Sequence, residues 1–95
     1  MATEVAAPAE GFHGPVKRSI TIAGHQTSIS LEPPFWTALE RAAAAHGLPL
    51  SALVARIDVL RIASPDPPNL ASALRTWLFE LRTTLNSIDS ANDSQ

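Results

Sequence analysis

Hydrophobic residues recur at every second position in one stretch of the chain, which is the spacing of a β-strand with one buried face. Ile20 and Ile22 alternate with serine and threonine, and Ile29 and Leu31 alternate with serines. Between these two runs lies a short segment that contains Gly24, and glycine is a common residue of tight turns. The pattern therefore predicts a β-hairpin over about residues 17–31.

The turn of this hairpin is predicted at Gly24 and His25, because a type II′ turn takes glycine at its first central position. Counting outward from that turn pairs Ile20 with Ile29. A slip by one residue would mix apolar and polar side chains on both faces, so the alternation favours this pairing. One face is then apolar and includes Ile20, Ile22 and Ile29. The other is polar and consists of Ser19, Thr21, Ser28 and Ser30.

Apolar spacing changes to that of an amphipathic helix after the hairpin. The first helix is predicted over about residues 34–46, with a proline in its first turn, where the missing N–H costs nothing. Gly47 is the expected terminator. Trp36 falls at the edge of the inner stripe, which consists of Phe35, Leu39, Ala42 and Ala43.

Two further helices are predicted, over about 50–62 and about 69–85. The segment 64–69 between them contains three prolines and is a connector. Asn69 is a suitable N-cap for the third helix, whose leucine stripe includes Trp77. Phe79 lies off that stripe, so an exposed Phe79 would mark an interface. Residues 1–15 are expected to be a disordered arm, 16–86 the folded domain and 87–95 a disordered tail.

The net charge of −2 conceals an uneven distribution. Four of the nine acids lie near the ends of the chain, which leaves five acids against seven basic residues in 15–85, a balance of +2. This weakly basic centre permits phosphate contacts. The N-terminus has no basic signal-peptide region, and the apolar runs are far shorter than the roughly 20 residues that span a bilayer. A cytoplasmic protein without a membrane segment is expected.

The sequence offers no pattern for catalysis or metal binding. Asp58 and Asp66 have no partner at a catalytic spacing. The three histidines, His13, His25 and His46, do not form a ligand pair, and the chain has no cysteine. We therefore expect a protein that is not an enzyme and that needs neither a cofactor nor a metal.

A two-stranded ribbon alone is only marginally stable in water, and its edges invite further pairing. A second copy of the chain would supply both a pairing edge and additional core. Dimerisation is thus expected on physical grounds.

The run TSISLEPPFWTALERAAAAHGLPLSALV resembles the ribbon-helix-helix family of homodimeric DNA-binding regulators. The wider run, from KRSITIAGHQTSISL to NLASALRTWL, is similar to a bacterial subfamily with an extra N-terminal strand and a third helix. The resemblance implies an α+β, mostly helical dimer in which two paired strands, one per subunit, enter the major groove. It implies that Gln26, Ser28 and Ser30 contact bases. Lys17, Arg18 and Ser51 at the second helix's start would then hold phosphates, and the dimer interface would include Ile29, Leu31, Leu53, Val54 and Ile57.

Two functions are compatible with this interpretation. The first is a homodimeric, sequence-specific DNA-binding protein, either a small transcriptional regulator or an antitoxin-like repressor. The alternative is a dimeric protein-interaction module of the same fold that does not bind DNA. The net acidity and the shortage of basic residues on the polar strand face favour the alternative. So does the added strand, because a four-stranded dimer sheet is roughly 15–19 Å across, whereas the major groove is about 12 Å wide.

Overall fold

The computed structural model describes residues 4–93, with side chains described from 4 to 84. The predicted fold class is confirmed, because an antiparallel hairpin is followed by three helices. The predicted limits of the second helix are also confirmed. In chain order, the elements are β1 (Val16–Ile22), β2 (His25–Leu31), α1 (Pro33–Ala45), α2 (Leu50–Ile62) and α3 (Leu70–Asp93).

The hairpin has the predicted faces, but the predicted turn and register are wrong. Its two-residue turn is Ala23-Gly24, with φ of 51° and 81°, and positive φ at both positions is typical of a type I′ turn. The strands pair two residues away from the prediction, with Val16 opposite Leu31. In the observed register all seven residues of β1 are paired before α1 begins at Pro33, whereas the predicted register would have set Val16 opposite Pro33, within the helix. A shift of two residues leaves every side chain on its predicted face, because side chains alternate with a period of two.

The core lies between the inner face of the hairpin and the three helices. Its most deeply buried side chains are Leu31, Leu39, Leu74 and Val54. Trp36 is also buried, whereas Phe35 is only half-buried, so the predicted order of these two aromatic residues was wrong. The physical reason is that a buried indole needs a partner for its N–H, and β1 provides one.

Local signals account for the ends of the helices. Gly47 follows α1 with a φ of 66°, which confirms it as the terminator. The Asn69 side-chain oxygen accepts a hydrogen bond from the Ser72 N–H at 2.8 Å, so the predicted N-cap is confirmed. Helix α3 continues to Asp93, past the predicted end near Leu85, because residues 86–93 contain neither proline nor glycine to stop it. The arm over 1–15 and the tail over 87–95 stay predictions, and residues 1–3 and 94–95 lie outside the described part.

Within residues 4–93, no single helix is both long and apolar enough to cross a membrane. Helices α1 and α2 would pass that test as a pair by length and composition, with a bend of 97° between them.

Candidate nucleic-acid interface

The outward face of the hairpin carries a continuous set of polar side chains. Three cross-strand pairs make it up, and direct pairing places both members of a pair on the same face. Five of the six side chains are exposed and the sixth, Ser30, is partly exposed. Each can donate a hydrogen bond, and all but the lysine can also accept one. We call this set the outward strip, which consists of Lys17, Ser19, Thr21, Gln26, Ser28 and Ser30.

The dimensions of the outward strip suit a nucleic-acid groove. Each strand has seven residues, so the strip is about 23 Å long at roughly 3.3 Å per residue. The major groove of B-DNA is about 12 Å wide and accepts a two-stranded ribbon. Gln26 can bind adenine through two hydrogen bonds, and serine hydroxyls can bind several bases.

The structure brings four of the predicted DNA-binding residues together and leaves two elsewhere. Lys17, Gln26, Ser28 and Ser30 all belong to the outward strip. Arg18 lies on the opposite face of the hairpin, opposite Ile29 in the ladder.

Arg18 is engaged by the helical layer. Its Nη1 donates a hydrogen bond to Glu40 Oε1 at 2.8 Å, and its guanidinium lies 4.7 Å from the centre of the Trp36 ring. Both members of this ion pair are well exposed, so the pair itself adds little stability. For Arg18 to hold a phosphate, it would have to exchange Glu40 for that phosphate.

Ser51 is the second residue of α2 and is partly exposed. The N-cap, Pro49, makes no side-chain hydrogen bond to the helix. Its carbonyl accepts hydrogen bonds from the amides of Ala52 and Leu53. The amides of Leu50 and Ser51 precede this first turn and face out of the helix end, where they are suited to an anion.

Strand β1 is tied to α1 by contacts that do not involve β2. Trp36 Nε1 donates a hydrogen bond to the Val16 carbonyl at 2.9 Å, in addition to the Arg18 contacts. The side chain of Ile20 is buried in the core. This role of Trp36 was not predicted from the sequence. The signal available was the general need of a buried tryptophan for a hydrogen-bond acceptor.

The five predicted interface residues form part of the chain's own core. Each is at most 4% exposed, so contact with a second copy through them stays a prediction. They are Ile29, Leu31, Leu53, Val54 and Ile57.

Apolar side chains are nevertheless exposed on the far side of α2. Val59 and Ile62 are 66% and 61% exposed, and Ala52 and Ala55 share their side of the helix by spacing. We call these four residues the outer α2 face. A helix that is apolar on both sides is normally buried on both. The sequence LSALVARIDVLRI contained this signal, but only its inward stripe was predicted. Phe79 on α3 is likewise 67% exposed, as an interface role requires.

An ion pair joins the β2–α1 junction to α3. Arg75 donates from Nε and Nη2 to Glu32 Oε1 at 3.0 and 2.9 Å. The pKa of Glu32 lies below its ordinary value. The larger cause is a hydrogen bond from its own backbone, and the second is the hydrogen bond from Arg75. Arg61 is similarly held by Asp58 at 2.8 Å. On the hairpin, Arg18 is paired with Glu40. Among the side chains that the structure describes, Lys17 is therefore the one basic residue of the hairpin without an ion-pair partner.

A wide, open groove of about 1170 Å³ lies between residues 8–13, α1 and α3. Its acids are Glu10, on the exposed arm, and Glu32, which Arg75 binds. This arrangement does not supply the closely spaced carboxylates that acid–base chemistry uses. Among the residues that the structure describes, no three His, Cys, Asp or Glu side chains are grouped as metal ligands.

Comparison with known proteins places the hairpin and helices in a family. A family model described as "Ribbon-helix-helix domain" matches residues 15–81. Among solved structures, the chain is similar to an uncharacterized protein from Bordetella pertussis Tohama I, with 27% identity and a TM-score of 0.65. That alignment covers 77% of this chain but only 59% of the Bordetella protein, less than two thirds of its length. No curated protein matches the sequence. Because the family model spans well over half of the chain, the protein belongs to the ribbon-helix-helix domain family.

Proposed function

We propose that this chain is a homodimeric, sequence-specific DNA-binding protein that acts as a small transcriptional regulator in the bacterial cytoplasm. The observation that carries the proposal is the outward strip, an exposed and entirely polar face on a two-stranded ribbon. Ribbon-helix-helix domains are typically DNA-binding regulators, which supports the same conclusion.

The side chains of the strip divide into two roles. Gln26, Ser28 and Ser30 contact base edges, because their amide and hydroxyl groups can both donate and accept hydrogen bonds. Lys17, at one end of the strip, binds a backbone phosphate. Ser51 and the start of α2 supply a second phosphate contact through backbone N–H groups.

Self-association is assigned to the outer α2 face. Covering Val59 and Ile62 by a second copy would remove two well-exposed apolar side chains from water. The family typically dimerises, which makes a second copy the best-supported occupant of this surface. Leu53, Val54 and Ile57 then lie directly beneath the interface and position it.

A dimeric protein-interaction module is the second candidate. It is favoured by the electrostatics of the outward strip, where Lys17 is the single charged side chain, while Arg18 is held by Glu40 on the other face. A surface with one cation attracts a polyanion weakly, because affinity for DNA depends on the number of phosphates neutralised.

Selection of bound fragments from a random pool of duplex DNA at low salt distinguishes these functions. Two double variants accompany the wild type. Ser28→Ala with Ser30→Ala removes two hydroxyls from the strip, and Thr83→Ala with Thr84→Ala removes two exposed hydroxyls from α3 as the matched control.

The DNA-binding proposal predicts an enriched sequence motif for the wild type and the α3 variant. It predicts that the strip variant loses preference for the motif more than it loses overall affinity, since base contacts specify and phosphate contacts position. Absence of any enriched motif at low salt, or full preference in the strip variant, would contradict it. A stable co-purifying protein together with no enrichment would favour the interaction module.

A further inference from the structure

We propose that the groove between α1 and α3 binds an acidic amphipathic helix of a partner protein. This groove is open and has a volume of about 1170 Å³. Among the described residues that line it, none belongs to the outward strip or to the outer α2 face. Binding at this surface is therefore independent of DNA binding by the hairpin.

The groove has the length of a short helix. Its lining includes residues of α1 from Pro33 at the start of the helix to Ala45 at its end. Helix α1 has 13 residues, so it is about 20 Å long at roughly 1.5 Å per residue. Typical small-molecule sites have volumes of roughly 300–1,000 Å³ and enclose most of their ligand. A larger groove that is open to solvent is better suited to a polypeptide segment.

The floor of the groove is apolar. Ala38, Ala42 and Ala45 lie on one face of α1 by their spacing, and Leu78 and Leu81 of α3 line the same floor. Ala42 and Leu78 are buried, whereas Ala45 is exposed and Leu81 is partly exposed. Because alanine side chains are small, the apolar face of another helix can approach α1 closely and cover this floor.

The arm forms one wall of the groove and leaves the floor open. The Gly11 amide donates a hydrogen bond to the Pro8 carbonyl at 2.9 Å. The His13 ring is hydrogen-bonded through Nε2 to the Glu10 carbonyl at 2.8 Å. These two bonds fold this part of the arm into a turn. Phe12 in the turn is 82% exposed, so its ring does not fill the groove.

Each of the two helices contributes an arginine to the groove, Arg41 from α1 and Arg82 from α3. Both are exposed, and neither forms an ion pair in the part of the chain whose side chains are described. Of the two acids that line the groove, Glu32 is bound by Arg75, which leaves the Glu10 carboxylate against two guanidiniums. Acidic side chains on an occupant are therefore favoured over basic ones. A helix with an apolar stripe flanked by acidic residues matches both the floor and the walls.

Selection from a phage-displayed library of random peptides of about 14 residues, the length of α1, tests this proposal with the full chain as bait. Ala45→Trp fills the groove with a bulky ring. Ala44→Trp is the matched control, because Ala44 is also exposed but does not line the groove. The wild type and Ala44→Trp should enrich peptides with apolar residues at helical spacing and acidic residues beside them, and Ala45→Trp should enrich none of these. Circular dichroism verifies that both variants keep the helical content of the wild type.

Binding of one selected peptide, labelled with a fluorophore, is then measured by anisotropy. Ala45→Trp should weaken binding by about tenfold or more. Arg41→Ala and Arg82→Ala should each weaken it about two- to fivefold, which corresponds to the loss of one exposed ion pair. Arg56→Ala, which changes an exposed arginine of α2 outside the groove, should leave binding unchanged. The arginine variants keep the proposal testable if Ala45→Trp does not fold.

The same variants distinguish other occupants, and each of the following results would overturn the proposal. Absence of enriched peptides, enrichment of neutral or basic ones, or equal binding by Ala45→Trp and the wild type would exclude an acidic helix in this groove. Binding of decanoate that depends on Arg41 and Arg82, without any enriched peptide, would assign the groove to a small amphipathic anion. Conversion of a dimer to a monomer by Ala45→Trp but not by Ala44→Trp, measured by light scattering, would make a second copy the occupant.

Discussion

Replacing Trp36 by phenylalanine tests the attachment of the hairpin to the helices. The substitution keeps an aromatic ring in the core but removes the indole N–H that binds Val16 at 2.9 Å. Loss of this hydrogen bond costs about 1 kcal/mol. The smaller ring leaves unfilled space at a site that is 4% exposed, which adds about 1 kcal/mol. The sum of about 2 kcal/mol lowers Tm by roughly 8–16 °C for a domain of this size.

Trp77→Phe is the matched control for this experiment. Trp77 is only half-buried and its ring lies 6.3 Å from that of His46, without a hydrogen bond from its indole among the described residues. We expect a smaller loss of stability there. Urea unfolding followed by circular dichroism gives the free energies, at one fixed protein concentration because self-association would affect them.

Amide hydrogen exchange locates the effect of the Trp36 substitution. Faster exchange should be concentrated in β1, whose first carbonyl has lost its partner. Equal destabilisation by Trp36→Phe and Trp77→Phe, with unchanged exchange in β1, would refute the claim that Trp36 holds the strand.

Three further predictions concern charge, pH and self-association. Lys17→Ala should reduce the slope of log affinity against log salt by about one unit, as loss of one phosphate contact requires. Arg82→Ala, on exposed α3, should leave the slope unchanged, and an unchanged slope for both variants would remove Lys17 from the interface. The lowered pKa of Glu32 means that its ionised form stabilises the fold above the ordinary glutamate range, and that this contribution is lost as pH falls through the lowered pKa. Glu32→Gln should therefore flatten the pH dependence of the urea midpoint between neutral pH and about pH 3, and an identical dependence in both proteins would contradict this. Val59→Ser with Ile62→Ser should convert a dimer to a monomer in light scattering while keeping helical content, and a persistent dimer would place the interface elsewhere.

The faces of the hairpin could be predicted from sequence, but its register could not. Alternation of Ile20, Ile22 and Ile29 with small polar residues determines which side of each strand is buried. Two turn positions, shifted by a single residue, preserve that alternation equally well. The observed register ends the ladder at Leu31, before α1 begins at Pro33, so it depends on how the strands meet the first helix and not on alternation alone.

Helix limits were predictable wherever a local signal exists. Gly47, Asn69 and the prolines between α2 and α3 act within one turn of their own position. The roles of Trp36 and Arg18 depend instead on which strand lies above α1. Sequence spacing alone did not reveal that their side chains meet at 4.7 Å.

The candidate interface was only partly predictable for a similar reason. Family resemblance pointed to Lys17, Gln26, Ser28 and Ser30, and the alternation had already predicted Ser19 and Thr21 on the polar face. The structure brings these six residues together on one face, whereas it places Arg18 on the other. The core positions of α2 were predicted as contacts with a second copy. The single chain covers them itself, and it leaves Val59 and Ile62 on the other side of the helix exposed.

Amide chemical shifts of nitrogen-15-labelled protein, followed during titration with the selected duplex, test most directly whether the outward strip binds DNA. If it does, the largest changes should fall on β1 and β2, with smaller changes at the start of α2. Changes confined to α3 and the outer α2 face, with the hairpin amides unmoved, would contradict DNA binding by the hairpin.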